Sequence, residues 1–240
     1  APPDSVRDQA LQPFSVRLLV KNEGEYDIPE NSAYVTLTGF NPSDLGIENR
    51  TSRTLPALRG FKKQGDNTIP GAQQQVVFDS LRYENSVVSG SIPLTIYANV
   101  CYPYETESFA LLCINGNTVP AVDESTQICE LDGNKQFANS GGPVKIENVK
   151  QYPYGENSIQ FQFDIVHTPT SDQANLYAPG SINNQCQING SSPSSSDALF
   201  QRDKVRYEVE SGIEGLSCEG TGSSSNTVTL TNDRYTVTCV

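Results

Sequence analysis

The sequence contains no methionine and only one histidine, His167. None of its six cysteines forms a Cys-x-x-Cys pair, and no Gly-x-Ser-x-Gly elbow occurs. Without a second histidine or paired cysteines, zinc finds no ligand set of the usual spacing. A Ser-His-Asp triad would have to use His167, which follows the strand-like "DIV"; a lone histidine there is expected to be a polar surface residue. No apolar run approaches the roughly 20 residues that cross a bilayer, so membrane insertion of this chain is not expected. Basic residues are scarce, 16 Lys and Arg against 28 Asp and Glu for a net charge of −12. Phosphate backbones would be repelled, which removes nucleic acid as a partner. The acids offer no specific carboxylate pair for glycoside hydrolysis. Neither an enzyme nor a cofactor is therefore expected. The missing methionine fits a processed chain or a fragment of a longer one; "APPDS" suits a mature N-terminus after removal of a secretory signal or anchor, and proteolytic trimming would produce the same.

What is present is alternation with period two, and no amphipathic helical stretch of useful length. In "SIQFQFDIV", Ile159, Phe161, Phe163 and Ile165 share one face. Phe14, Val16, Leu18 and Val20 do so in "PFSVRLLV", and Leu94, Ile96, Ala98 and Val100 in "PLTIYANVC". Val205, Tyr207 and Val209, then Val228 and Leu230, then Tyr235, Val237 and Cys239 continue the pattern. Gly, Pro, Asn and Ser clusters separate these segments into turns. One-sided burial at this spacing predicts an all-β chain of two tandem Ig-like antiparallel β-sandwich domains with disulfides. The predicted organisation is an N-terminal extension over 1–13, a first domain over 14–138 and a second over 143–240, divided at Gly141–Gly142. A short helical turn is expected around "DSVRDQAL".

Six cysteines allow fifteen pairings, and spacing does not choose among them. The expected set is Cys113–Cys129, Cys218–Cys239 and Cys101–Cys186. Three cysteines precede the boundary and three follow it, so the last pair is expected to cross between domains and fix their angle. Cysteines in even number, with Asn-x-Ser/Thr sequons at Asn49 and Asn189, point to an oxidising, glycosylating exterior and to N-linked glycans. In "CYPYETESFALLC", Pro103 lacks an amide donor and marks a turn. Glu105–Cys113 then resumes as a strand, in a hairpin with the strand before it. An alternative reading makes Tyr102, Tyr104, Tyr152 and Tyr154 an aromatic platform for sugar. "AVDESTQICELDGN" brings Asp123, Glu124, Glu130 and Asp132 close enough to suggest a weak calcium candidate, beside the simpler reading of acidic solubilising loops.

The phrases "VRLLVKNEG" (with Val20, Asn22 and Gly24), "CYPYETESFALLC" and the terminal "TVTC" resemble secreted archaeal cell-surface and filament proteins built from tandem Ig-like sandwiches. The resemblance covers the first half better than the second, and it implies an envelope or filament component without catalytic residues. Tyr97 and Cys101, four apart, are echoed by Tyr235 and Cys239. In the first half a further strand follows; in the second the chain stops at Val240, so that domain is expected to expose an edge. The N-terminal segment has no obvious partner in its own domain. Val6, Ala10 and Leu11 are therefore the expected donor-strand contacts to a neighbouring copy. Arg50, Arg53, Arg59, Lys62 and Lys63 are read either as a solvated loop or as a basic patch meeting an acidic neighbour. The function expected is an extracellular, cell-surface structural subunit of a pilus-like filament or layer, assembling head to tail with copies of itself. The alternative is a monomeric adhesin or carbohydrate-binding module.

Overall fold

The alternating segments become strands. The computed structural model describes residues 5–114, 129–155, 158–168, 174–184, 186–187, 201–212, 215–219 and 223–240. Within them the chain is all-β: several small antiparallel sheets, no α-helix, and three disulfides. It divides into two compact units, Ala1–Tyr104 with Ile182–Ser194, and Glu105–Ser181 with Ser195–Val240.

The division at Tyr104–Glu105 differs from the one expected at Gly141–Gly142. Those glycines sit in a tight connection between two strands of one unit. The Asn139 amide clasps Ile146 from both sides, donating to its carbonyl at 2.9 Å and accepting from its N–H at 2.8 Å. A glycine pair closing a short link has the same composition as a linker.

In the first unit, β1 (Phe14–Lys21) pairs with β6 (Gln73–Leu81). A second sheet has the order β3 (Ser52–Thr54), β2 (Tyr34–Thr38), β7 (Tyr97–Cys101). Val16, Val76 and Phe78 from the first sheet share one buried cluster with Val35 and Leu37 from the second, as two facing sheets do. Each such side chain, fully buried, contributes about 1.5–3 kcal/mol. A hairpin of β4 (Lys62–Gln64) and β5 (Asn67–Ile69) lies outside both sheets. The helical turn expected near the N-terminus is instead a set of turns. One turn of 3-10 helix, Pro42–Leu45, forms where Asn41 caps, Pro42 begins and Gly46, at φ 65°, ends it.

In the second unit, four strands run in the order β15 (Arg234–Cys239), β12 (Ser158–His167), β11 (Val144–Tyr154), β9 (Gly133–Asn134). Beside them are the pairs β8 (Ser108–Ala110) with β10 (Phe137–Asn139), and β13 (Lys204–Glu208) with β14 (Ser225–Thr229). Phe161, Phe163, Ile165, Tyr207, Val228 and Val237 build the core. The hairpin expected between the strands flanking Pro103 does not form. β7 pairs with β2 and β8 with β10, because the chain passes from one unit to the other between them.

Candidate contact surfaces

Two of the three phrases that carry the sequence resemblance, "VRLLVKNEG" and the start of "CYPYETESFALLC", meet in the first unit. Asn22 is buried, and its amide donates to the carbonyls of Tyr26 at 2.8 Å and Leu58 at 3.0 Å, while accepting from Gly24 N–H at 3.1 Å. The Tyr104 hydroxyl accepts from the Glu25 N–H at 3.1 Å. A Cβ on Gly24 would lie 2.4 Å from that hydroxyl, closer than atoms approach, so only glycine fits under the ring. Tyr26 and Tyr104 have ring centroids 5.7 Å apart, and Tyr102 meets Tyr104 edge-on at 6.3 Å. Of the proposed sugar platform, Tyr102 and Tyr104 come together with Tyr26; Tyr152 and Tyr154 lie on β11 in the other unit.

The disulfides are Cys101–Cys186, Cys113–Cys129 and Cys218–Cys239. Contrary to the expectation that it would cross between domains, Cys101–Cys186 stays within the first unit. Residues around Cys186 rejoin the first unit, where the Ser52 hydroxyl donates to the Asn184 carbonyl at 2.6 Å.

The N-terminal segment has partners in its own unit. Gln9 and Ala10 N–H groups donate to the carbonyls of Asn85 at 3.1 Å and Tyr83 at 2.7 Å, and the Asp8 carboxylate accepts from Val87 N–H at 2.7 Å. Val6 and Ala10 are half-buried there, and Leu11 is exposed. The outer edge of β15, expected to be open, is covered near its end by the chain's own Ser217–Glu219. Ser217 and Val240 exchange backbone bonds at 2.9 and 2.8 Å, Glu219 N–H donates to Thr238 O at 2.7 Å, and Cys218–Cys239 pins the pair. Sequence periodicity missed this cover because "GLSCEG" is too short to show a strand pattern.

The basic residues are largely engaged locally. Arg50 donates to Gly46 O at 3.1 Å, and Arg53 to the Arg50 and Ser52 carbonyls at 3.0 Å while its guanidinium lies 5.0 Å over the Phe78 ring. Lys62 pairs with Asp27 at 3.3 Å. Arg59 and Lys63 are exposed. Asn49 is exposed in a turn, a position a glycan can occupy; Asn189 lies outside the described residues. Of the calcium candidates, Asp123 and Glu124 also lie outside them. Asp132 accepts from its neighbour Gly133 N–H at 2.8 Å, and the Glu130 carbonyl accepts from Lys135.

His167 is not a surface residue: it is 5% exposed, its Nδ1 is 3.4 Å from an Asp233 carboxylate oxygen, and its Nε2 has no hydrogen-bond partner among the described residues. It ends β12, which lies between β11 and β15 and is therefore covered to its last residue. Next to it, Asp164 ties three strands together. Burial works against its charge, but donors from Thr236, Asn148 and Arg234 outweigh this and hold its carboxyl below the usual range. Asn148 sits at φ 52°, in the bulge between Glu147 and Lys150, a conformation asparagine tolerates.

Two further surfaces had not been singled out. On β1 the face opposite the core carries Arg17, Leu19 and Lys21, and Val77 lies directly across from Arg17 on β6; Leu19 is 67% exposed. On β8, backbone bonds from Ser140 to Glu107 and from Leu111 to Gln136 extend the ladder at both ends. Glu107, Phe109 and Leu111 thus share a face, with Phe109 68% and Leu111 66% exposed. The signal was present in the sequence as apolar residues on the wrong beat, "LLV" and "FALL". The chain matches no protein-family model, no curated protein and no solved structure.

Proposed function

We propose that the chain is an extracellular structural subunit of two Ig-like β-sandwich modules, whose copies associate with one another into a filament or layer. The observation that carries this reading is the outward-facing apolar strand residues on both units, Leu19 on one and Phe109 with Leu111 on the other. Contiguous exposed apolar side chains rimmed by charge mark contact sites. A chain with two different contact sites propagates, whereas one with a single self-complementary site stops at a dimer. Strand exchange by residues 1–13 is not part of the reading, since Gln9 and Ala10 and the end of β15 already have partners. Three disulfides are compatible with an extracellular setting, and no helix among the described residues is long and apolar enough to cross a membrane.

A second reading, a carbohydrate-binding adhesin, is favoured by the Tyr26–Tyr102–Tyr104 cluster, since stacked sugars use exposed aromatic rings. Sedimentation velocity and electron microscopy of the purified chain across a concentration series, beside a glycan array, separate the two. Growing linear or sheet-like particles support the structural role. A monomer at every concentration that binds sugar saturably refutes it in favour of the adhesin.

A further inference from the structure

The two exposed apolar faces differ in charge, and that decides how copies meet: Arg17 and Lys21 flank Leu19 on one, where exposed Asp79 stands two residues beyond Val77, while Glu107 begins the other. On β1, Leu19 lies between Arg17 and Lys21, with Gln75 directly across from it on β6 and Val77 across from Arg17, diagonal to it. Leu18 and Val20, between them in sequence, pack against the buried core, so this outer face is left for solvent or a partner. On β8, Phe109 and Leu111 continue the face that begins with Glu107, and exposed Glu105 precedes it by two residues. Same-face residues in any strand repeat at about 6.6–6.8 Å, so the two rows match in pitch.

We infer that the β1–β6 face of one copy docks onto the β8–β10 face of the next, with Leu19 and Val77 seated on Phe109 and Leu111 and Arg17 reaching Glu107. This rests on the reading of the chain as a self-associating subunit and names the contact. Each face disfavours its own twin. Two β1 faces stacked with their rows in register bring Arg17 to Arg17, and two β8 faces bring carboxylate to carboxylate, while the apolar rows are equally content with either. Charge thus selects the unlike pairing. An unlike pairing leaves one free face of each kind on every growing chain, which is the condition for an open polymer. Lys21 is already shared with Glu23 at 3.0 Å, so Arg17 is the cation that gives the face its specificity.

The test is a charge swap in the full-length chain, read by sedimentation velocity, with near-ultraviolet circular dichroism confirming the fold. Arg17→Glu alone and Glu107→Arg alone are each expected to raise the concentration needed for assembly about tenfold or more. The double variant, with both changes in one chain, is expected to assemble like wild type. So is an equimolar mixture of the two single variants, in which each unlike contact is again complementary. Leu19→Ser provides a second arm by removing the central apolar side chain of the row without changing any charge. A wild type that polymerises while the single reversals and Leu19→Ser polymerise equally well overturns this contact and leaves the structural role standing. Folded single variants that fail to assemble, with no recovery in the double variant or the mixture, also overturn it. A wild type that stays monomeric throughout overturns both.

Discussion

Gln151 offers the sharpest check on the second unit. Its side chain is fully buried, yet it behaves as a piece of backbone: Oε1 accepts from the Cys113 N–H at 2.8 Å and Nε2 donates to the Cys113 carbonyl at 2.6 Å. The amide substitutes for a strand residue that the short β8 does not supply. Replacing Gln151 by Met keeps the shape and strands both Cys113 groups. Each unsatisfied buried group costs about 1–3 kcal/mol, and the newly buried methionine returns about 1 kcal/mol. The net loss is then about 1–5 kcal/mol, a large share of the 5–15 kcal/mol typical of a folded domain. Native-state hydrogen exchange reads it directly, since the Cys113 amide should lose protection, and urea unfolding reads the total. Gln151→Glu adds a sign test. It keeps an acceptor for the Cys113 N–H but sets a carboxylate against the Cys113 carbonyl, and only the protonated carboxyl can donate there. That variant should therefore gain stability relative to wild type as pH falls. A methionine variant within about 0.5 kcal/mol of wild type, with the Cys113 amide still protected, would refute the reasoning.

Three other outcomes follow from the geometry. The Asp164 carboxyl is held below its usual range, so it stabilises the fold above about pH 4 and that contribution disappears as pH falls through its folded value. Asp164→Asn should cost about 2 kcal/mol at pH 7, with the gap to wild type closing in acid, followed by urea unfolding at several pH values. Gly24→Ala should cost about 1–3 kcal/mol by driving a methyl into the Tyr104 hydroxyl, and the double variant with Tyr104→Phe should lose less than the sum of the two. Serine at both Cys101 and Cys186 removes the bridge that holds the returning Ile182–Ser194 segment to the first unit and should lower that unit's unfolding free energy by about 2–4 kcal/mol, leaving the second unit's calorimetric transition in place.

The strands themselves were readable. Phe14 to Val20 and Phe161 to Ile165 place the expected side chains inward, because a core needs one face and the alternation names it. Other features needed information that periodicity does not carry. Ala98 and Val100 alternate as well as any, yet they are exposed, since β7 is an edge strand with one described neighbour. The Gly141–Gly142 pair had the composition of a linker, and only the clasp from Asn139 to Ile146 shows it to be a turn within one unit. The lone histidine was expected outside because nothing in "DIVHTP" tells that β12 has a strand on either side. Asn22 and Gly24 were noticed as a phrase, but their reason is a tyrosine 80 residues later in the chain, Tyr104 set over Gly24.

The same ambiguity explains why the contact faces were missed. Both "DIV" and "LLV" put side chains on the second face of a strand that already has an inward row. In β12 that second face is covered, so Val166 is buried and Asp164 survives only by taking three partners from β11 and β15. In β1 it is not, so Leu19 stands in solvent between two cations. Sequence states that a second apolar row exists; neighbours decide whether it belongs to the core or to another molecule. A residue such as Leu19 gains nothing for the isolated fold by being leucine, and exposing it invites association. Its position between Arg17 and Lys21, rather than among neutral residues, restricts that association to a carboxylate-rimmed surface. The face that begins with Glu107 is such a surface, and this chain carries it.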